Sequence, residues 1–157
     1  MSTTMQSYAS HLGQLVTLER PEYHHRAEGY LLEASEGWLL LHRASERMDL
    51  DGYELYRSRD VVSVRSDARH LDTLQRALAM KGIRPASPGP LDLSGARPLM
   101  ESIQARHPVV VIRRERRDPH AREIGRVRLD SELTFTLHGL SPDATWEPDD
   151  RVFRYDA

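Results

Sequence analysis

Two stretches decide how this chain reads: Leu15-Val16-Thr17-Leu18 and Val109-Val110-Val111-Ile112. Each is a short apolar run, and the same markers follow each at nearly the same spacing. Gly29 matches Gly125, Ser35-Glu36 matches Ser131-Glu132, and Leu41-His42 matches Leu137-His138. Ser45 matches Ser141 and Asp60 matches Asp156, with one shift of two residues between the first strand and the glycine. Residues 15–65 and 109–157 therefore read as two copies of one unit, and recognising a repeat governs every later inference about architecture.

Each copy reads as β. In the first, Leu15–Glu19, Gly29–Glu33, Trp38–His42, Asp49–Arg57 and Val61–Val64 are short strands rich in apolar or β-branched residues. Pro21–Arg26 reads as a turn or hairpin tip, Ala34–Gly37 as a tight turn, and Asp51-Gly52 as a further turn signal. Five short strands in so few residues suit a small, bent barrel, because closing a sheet removes its exposed edges. The second copy repeats the pattern at Val109–Arg113, Gly125–Leu129, Thr134–His138 and Arg151–Tyr155. The counterpart of Val61–Val64 is absent, so this barrel is expected to lack its last strand. Truncation, cover by the segment before His11, or a strand given by another chain would each account for that.

Between the copies the texture changes. Leu71, Leu74, Ala77, Leu78 and Met80 recur at helical spacing over Arg69–Lys81, with Asp67 as an N-cap and Gly82 as a C-cap. Arg84–Pro90 holds three prolines and a glycine and reads as a linker. A second helix is expected over Pro98–Arg106, with Leu99, Ile103 and Met100 facing a core and Pro108 stopping it. The expected domains are a first barrel at 1–66, a helical connector at 67–107 and an incomplete second barrel at 108–157.

The chain has 157 residues, a net charge of −2 and no cysteine. The last point excludes disulfides and Cys-type metal sites and fits a reducing cytoplasm. No run approaches the ~20 apolar residues of a membrane span. The first fourteen residues lack the basic and apolar regions of a secretory signal. Of 22 basic residues, all but Lys81 are Arg. Phosphate contact would explain that bias, since Arg pairs with phosphate bidentately. A GC-rich coding background explains it too, and is the favoured account because 24 acidic residues balance the charge.

In the first copy, Gly29-x-Leu31 followed by Ser35 and Trp38-Leu39 is similar to the first Sm motif, and Arg57-Ser-Arg-Asp-Val-Val-Ser-Val64 is similar to the second. On these residues the chain resembles the Sm-like, SH3-like barrel over both copies. It also resembles a group of uncharacterised bacterial proteins carrying two such barrels joined by helices. The resemblance implies a barrel fold and brings no activity. It departs from the family where RNA would be touched: Ser35 stands for an Asp, Leu39 for an RNA-contacting Asn and Ser58 for a Gly. The second copy has Ser131, Phe135 and Arg154 at those positions.

Four sets of residues invite chemistry. His42 and His138 occupy equivalent positions; with Asp60 and Asp156 they suggest either a duplicated His–Asp pair for acid–base work or a structural rim repeated by duplication. Eight Arg against three acids lie between Arg106 and Arg128. There Arg113, Arg114, Arg116, Arg117 and Arg122 would follow a phosphate backbone, or else pair with the acidic run Asp143–Asp150. Aromatic partners for stacked bases are missing nearby. Trp146 follows a polar loop and reads as an exposed anchor for a protein partner or as a cap on the barrel end. His24, His25 and His120 lie in hairpin tips without the convergent ligands a metal needs. No phosphate-binding glycine loop and no nucleophile elbow is present, so neither a metal nor a cofactor is expected.

The sequence therefore points to a cytoplasmic, non-enzymatic interaction or scaffold module able to self-assemble as a homo-oligomer or to take a protein partner. The alternative is an RNA- or DNA-binding protein using the Arg-rich hairpin. An enzyme built on His42 and His138 ranks third, and no membrane role is expected.

Overall fold

The computed structural model describes residues 8–155, and the chain divides between Pro88 and Gly89 into two compact units. The first unit holds β1 (Leu15–Arg20), β2 (His25–Ala34), β3 (Trp38–Ala44), β4 (Leu50–Arg57), β5 (Ser63–Arg65) and helix α1 (Arg69–Met80). Its strands form one antiparallel sheet in the order β4-β3-β2-β1-β5. Alternation along the strands splits the apolar residues between two faces. Val16, Leu18, Ala27, Leu31, Leu39, Leu41 and Tyr56 pack on one face with Tyr8 and Val61. Leu15 and Tyr30 lie on the other, beneath Leu71, Leu74 and Leu78 of α1. The helix ends at Gly82, whose φ of +70° suits a residue without a Cβ. There the Ile83 N–H returns to the Leu78 carbonyl at 2.9 Å, and Ile83 packs against the α1 cluster.

The second unit holds α2 (Ala96–Gln104), β6 (Val110–Ile112), β7 (Glu123–Leu129), β8 (Thr134–Leu140) and β9 (Trp146–Arg154). The sheet order is β6-β7-β8-β9, again antiparallel. Its core is Val127, Phe135, Leu137 and Phe153, with Met100 of α2 against it and the Phe135 and Phe153 rings stacked at 5.2 Å.

Neither sheet closes. In the first, β4 and β5 are the two ends and are not bonded to each other; in the second, β6 and β9 are the ends. The two-barrel expectation is therefore corrected to two open antiparallel sheets with helices, and the Sm-like and SH3-like description does not hold. The physical reason lies in the closing strand. β5 has only three residues and bonds to β1; the 3₁₀ turn at Ser58–Asp60 leads toward it from the end of β4, and no ladder joins β4 to β5. Bulges between Leu31 and Glu33 and between His42 and Ala44 bend the sheet without joining its ends.

The matched residues take matching places in the geometry of the two units. Val16 faces Gly29 and Val110 faces Gly125. A Cβ on Gly29 would run into the His42 carbonyl, 2.9 Å from its carbon, and one on Gly125 would meet the His138 carbonyl at the same 2.9 Å. Ser35 Oγ accepts the Trp38 N–H at 3.0 Å, and Ser131 Oγ accepts the Thr134 N–H at 3.1 Å. Ser45 N–H reaches the Asp49 carbonyl and Ser141 N–H the Thr145 carbonyl, across loops in which Met48 and Ala144 take φ of 57° and 62°. The matched glycines and serines are thus the residues that make register and turn.

Strand limits differ from expectation mainly at β9, which begins at Trp146 and takes Pro148, Asp149 and Asp150 into the strand. An edge strand accepts a proline and charges that a central strand would not. Gly29→Ala and Gly125→Ala are each expected to cost about 1–3 kcal/mol, because overpacking here pushes backbone rather than a side chain. Urea unfolding followed by circular dichroism measures this, and a neutral Gly125→Ala would contradict the close approach.

Candidate functional site

The repeat makes the site comparison direct. In the first unit Tyr30 faces His42, which faces Tyr53; in the second, Arg126 faces His138, which faces Asp150. Both histidines lie on the face away from the Phe- or Leu-rich core, because each follows a leucine that points into it.

His42 is buried. Its Nδ1 accepts the Ala86 N–H at 3.2 Å, and its ring stacks on Tyr53 at 4.5 Å. The Tyr53 hydroxyl donates to the Ala86 carbonyl at 2.9 Å. Both backbone groups of Ala86 are thereby held, and the proline-rich segment after α1 becomes a strap across β3 and β4. Burial pushes the His42 imidazole below its ordinary range. With Nδ1 accepting, the neutral Nε2–H tautomer fits.

His138 is half exposed and differently placed. Its Nδ1 lies 2.7 Å from Asp150 Oδ1, and its ring stacks on Trp146 at 5.0 Å. Arg126 sits over the same indole at 5.0 Å, and Arg128 reaches Asp150 at 3.3 Å. The hydrogen bond to His138 holds the Asp150 carboxyl below the usual carboxylate range, with the His138 and Arg128 electrostatics adding in that order. This arrangement can exchange a proton at His138 Nε2 and can stack a planar group on its exposed edge.

The expected partner carboxylates are not the ones found. Asp60 lies in the 3₁₀ turn with its carboxylate 3.9 Å from Arg59, while His42 is bonded to Ala86. Asp156 lies outside the described residues. The sequence offers Asp150 only within an acidic run and Arg126 only within the Arg-rich stretch, and it pairs neither of them, nor Tyr53 or Ala86, with a histidine. β9 begins five residues before the expected Arg151, at Trp146, and this places Asp150 opposite His138.

Among the basic residues, Arg114 is committed. Its guanidinium lies over Phe153 at 4.6 Å and pairs with Glu123 at 2.6 Å. It is the counterpart of Arg20, which lies between Tyr23 and Tyr56 at 4.6 and 4.7 Å. Arg113, Arg116, Arg117 and Arg122 lie in the loop between β6 and β7, with Arg116, Arg117 and Arg122 exposed. Trp146 is exposed, at 40 %.

A third cluster joins β1, β2 and α1. Glu28 Oε1 is 2.6 Å from His70 Nε2, and Thr17 Oγ1 is 3.5 Å from the same nitrogen. A nucleophile relay needs the hydroxyl and the carboxylate on opposite ring nitrogens. Here both meet Nε2, so the cluster docks α1 rather than activating Thr17. The cleft of about 190 Å³ beside it is lined by Glu19, Arg26 and Arg65 among others. These charges are already paired, Arg26 with Glu19 at 3.2 Å and Arg65 with Asp67 at 3.3 Å. Among the described residues no three His, Asp or Glu side chains gather as a metal would require, and no helix is long and apolar enough to cross a membrane.

The His42 clamp predicts a pH dependence. A histidine with a lowered pKa in the native state binds a proton more readily when unfolded, near pH 6.5. Its stabilisation is present above that pH and is lost as pH falls toward the lowered native value. The urea midpoint of the first unit should fall between pH 7 and pH 5, and more shallowly in His42→Phe. Equal slopes in both proteins would remove the clamp as the cause.

Compared with known proteins, the chain matches no family model, no curated protein and no solved structure, so the likeness to Sm-like barrels finds no support there either.

Proposed function

We propose that the chain is a non-enzymatic protein-interaction module, and that the open sheet face of the second unit is its binding surface. One observation carries the reading: equivalent faces of the repeat are covered in one copy and bare in the other. Leu15, 5 % exposed beneath α1, corresponds to Val109 at 41 %. Thr17 at 3 % corresponds to Val111 at 53 %. On the same face lie Ile124 opposite Val111, Trp146 and, two strands from Ile124 and opposite Thr136, Val152 at 68 % exposed. Apolar side chains gathered on one exposed face mark an interaction site more often than scattered ones do. Self-association through this face is the homotypic form of the same reading, and a cytoplasmic location, suggested by the absence of cysteine, accords with it.

Two further facts support protein over nucleic acid or substrate. Arg114 is bound to Phe153 and Glu123, which takes it from the basic loop. The His138–Asp150 pair lies beside Trp146 with its side chains 42 % and 36 % exposed, more open than the enclosure that holds small substrates.

A phage library of random 16-residue peptides, selected on the intact chain, tests the reading. The counter-target is the Ile124→Asp, Val152→Asp double variant, whose fold is checked by circular dichroism; both residues are exposed, so it should fold. Enriched peptides are expected to bind the wild type at least tenfold more tightly than the variant. Equal binding to both, or no enrichment, overturns the proposal.

A further inference from the structure

We infer that the occupant of this open face is an amphipathic α-helix of a partner protein, seated as α1 is seated on the first unit, with an apolar residue where α1 has His70 and a carboxylate for Arg126. The inference rests on the interaction reading above and names the partner's chemistry.

The first unit is the template. There the face takes a helix through Leu71, Leu74 and Leu78, spaced to lie on one side of it, and through His70 on Glu28 at 2.6 Å. In the second unit the position of Glu28 is held by Ile124 and that of Thr17 by Val111. The change runs against what water would select: the covered copy carries the polar pair, and the bare copy carries the apolar one. A sheet surface facing only solvent has no use for that exchange. A helix bringing a leucine or isoleucine, in place of a histidine, has.

Charge complementarity fixes the second feature. Arg126 stands where the first unit has Tyr30, over Trp146 at 5.0 Å, and no carboxylate of the described residues pairs with it. A cation covered by a docking element must be paired or it opposes binding. The partner therefore carries an acid at that point. α1 of a second copy is a poor occupant, since its leucines are buried in its own unit.

The test uses the full chain and defined probes. Two fluorescein-labelled peptides carry residues 66–88 of this chain, one unaltered and one with His70→Leu, and anisotropy reports binding. The wild type is expected to prefer the His70→Leu peptide by about tenfold, a gain of about 1.4 kcal/mol. The Ile124→Glu protein, which restores the acid of the first unit, should reverse that preference. Arg126→Tyr should tighten the His70→Leu peptide severalfold, because the probe brings no acid to Arg126. An unchanged ratio in Ile124→Glu overturns the helix inference, as does weaker binding to Arg126→Tyr. Library peptides that need Ile124 but stay non-helical by circular dichroism would overturn it while leaving the interaction surface in place. A chain dimer in sedimentation velocity that Ile124→Asp abolishes would name a second copy as the occupant and overturn the partner helix.

Discussion

The close approach of a β2 or β7 glycine to the carbonyl of the histidine on the next strand underlies the rest of this structure. Gly29 and Gly125 leave the same space, filled by the backbone of His42 and His138. The contact allows one register only, since any side chain there would push the strands apart. Register then decides which face every neighbouring side chain takes. With Gly29 fixed against Val16, Leu31 and Leu41 enter the core while Tyr30 and His42 face the other way. With Gly125 fixed against Val110, Val127 and Leu137 enter the core while Arg126 and His138 face outward.

A sheet has two faces, and each copy solves only one of them in the same way. The core face is packed in both. The second face buries Leu15 and Tyr30 under α1 in the first unit, with the strap locked at Ala86 by His42 and Tyr53. In the second unit α2 packs on the core side through Met100, so the outward face receives no such cover from it. His138, without a strap, turns its Nδ1 to Asp150 and its ring to Trp146. One residue type at one register position thus becomes a buried backbone clamp in one setting and a half-exposed hydrogen-bonded pair in the other. What differs is the element laid over it.

How much of this could be read from the residues follows from the range of the interactions involved. The glycines, the turn serines and the Leu-His pairs act over a few residues, and their spacing exposed the repeat. The helix over Arg69–Met80 was legible because its three leucines recur with the helical period. Sheet closure was not legible. It depends on whether β4 meets β5, strands related through the curvature of the whole sheet, and no local pattern encodes that. Asp149 and Asp150 fall outside the strand expected at Arg151–Tyr155 because acids and Pro148 discourage strand in the interior of a sheet; at the edge of one they do not. The pairing of His42 with Ala86 joins residues far apart in the chain through a backbone amide, which has no side-chain signature at all.

The arginines show why a count of charges misleads where a register does not. Between Arg106 and Arg128 the excess of Arg suggests a surface for phosphate. Yet Arg114 repeats Arg20, each laid on the aromatic ring of the last long strand, Tyr56 in one unit and Phe153 in the other. An Arg kept over an aromatic in both copies serves packing, because its planar guanidinium stacks while its stem fills apolar space. Arg128 is engaged by Asp130 and Asp150. Arg126 has no counterpart in the first unit, where Tyr30 stands in its place and is covered by helix. The residue that marks the second unit's outer face as different is therefore neither part of the basic loop nor part of the repeated scaffold. Among the described residues it stands, with no carboxylate partner, where the first unit buries Tyr30, beside the position where Glu28 and Thr17 give way to Ile124 and Val111.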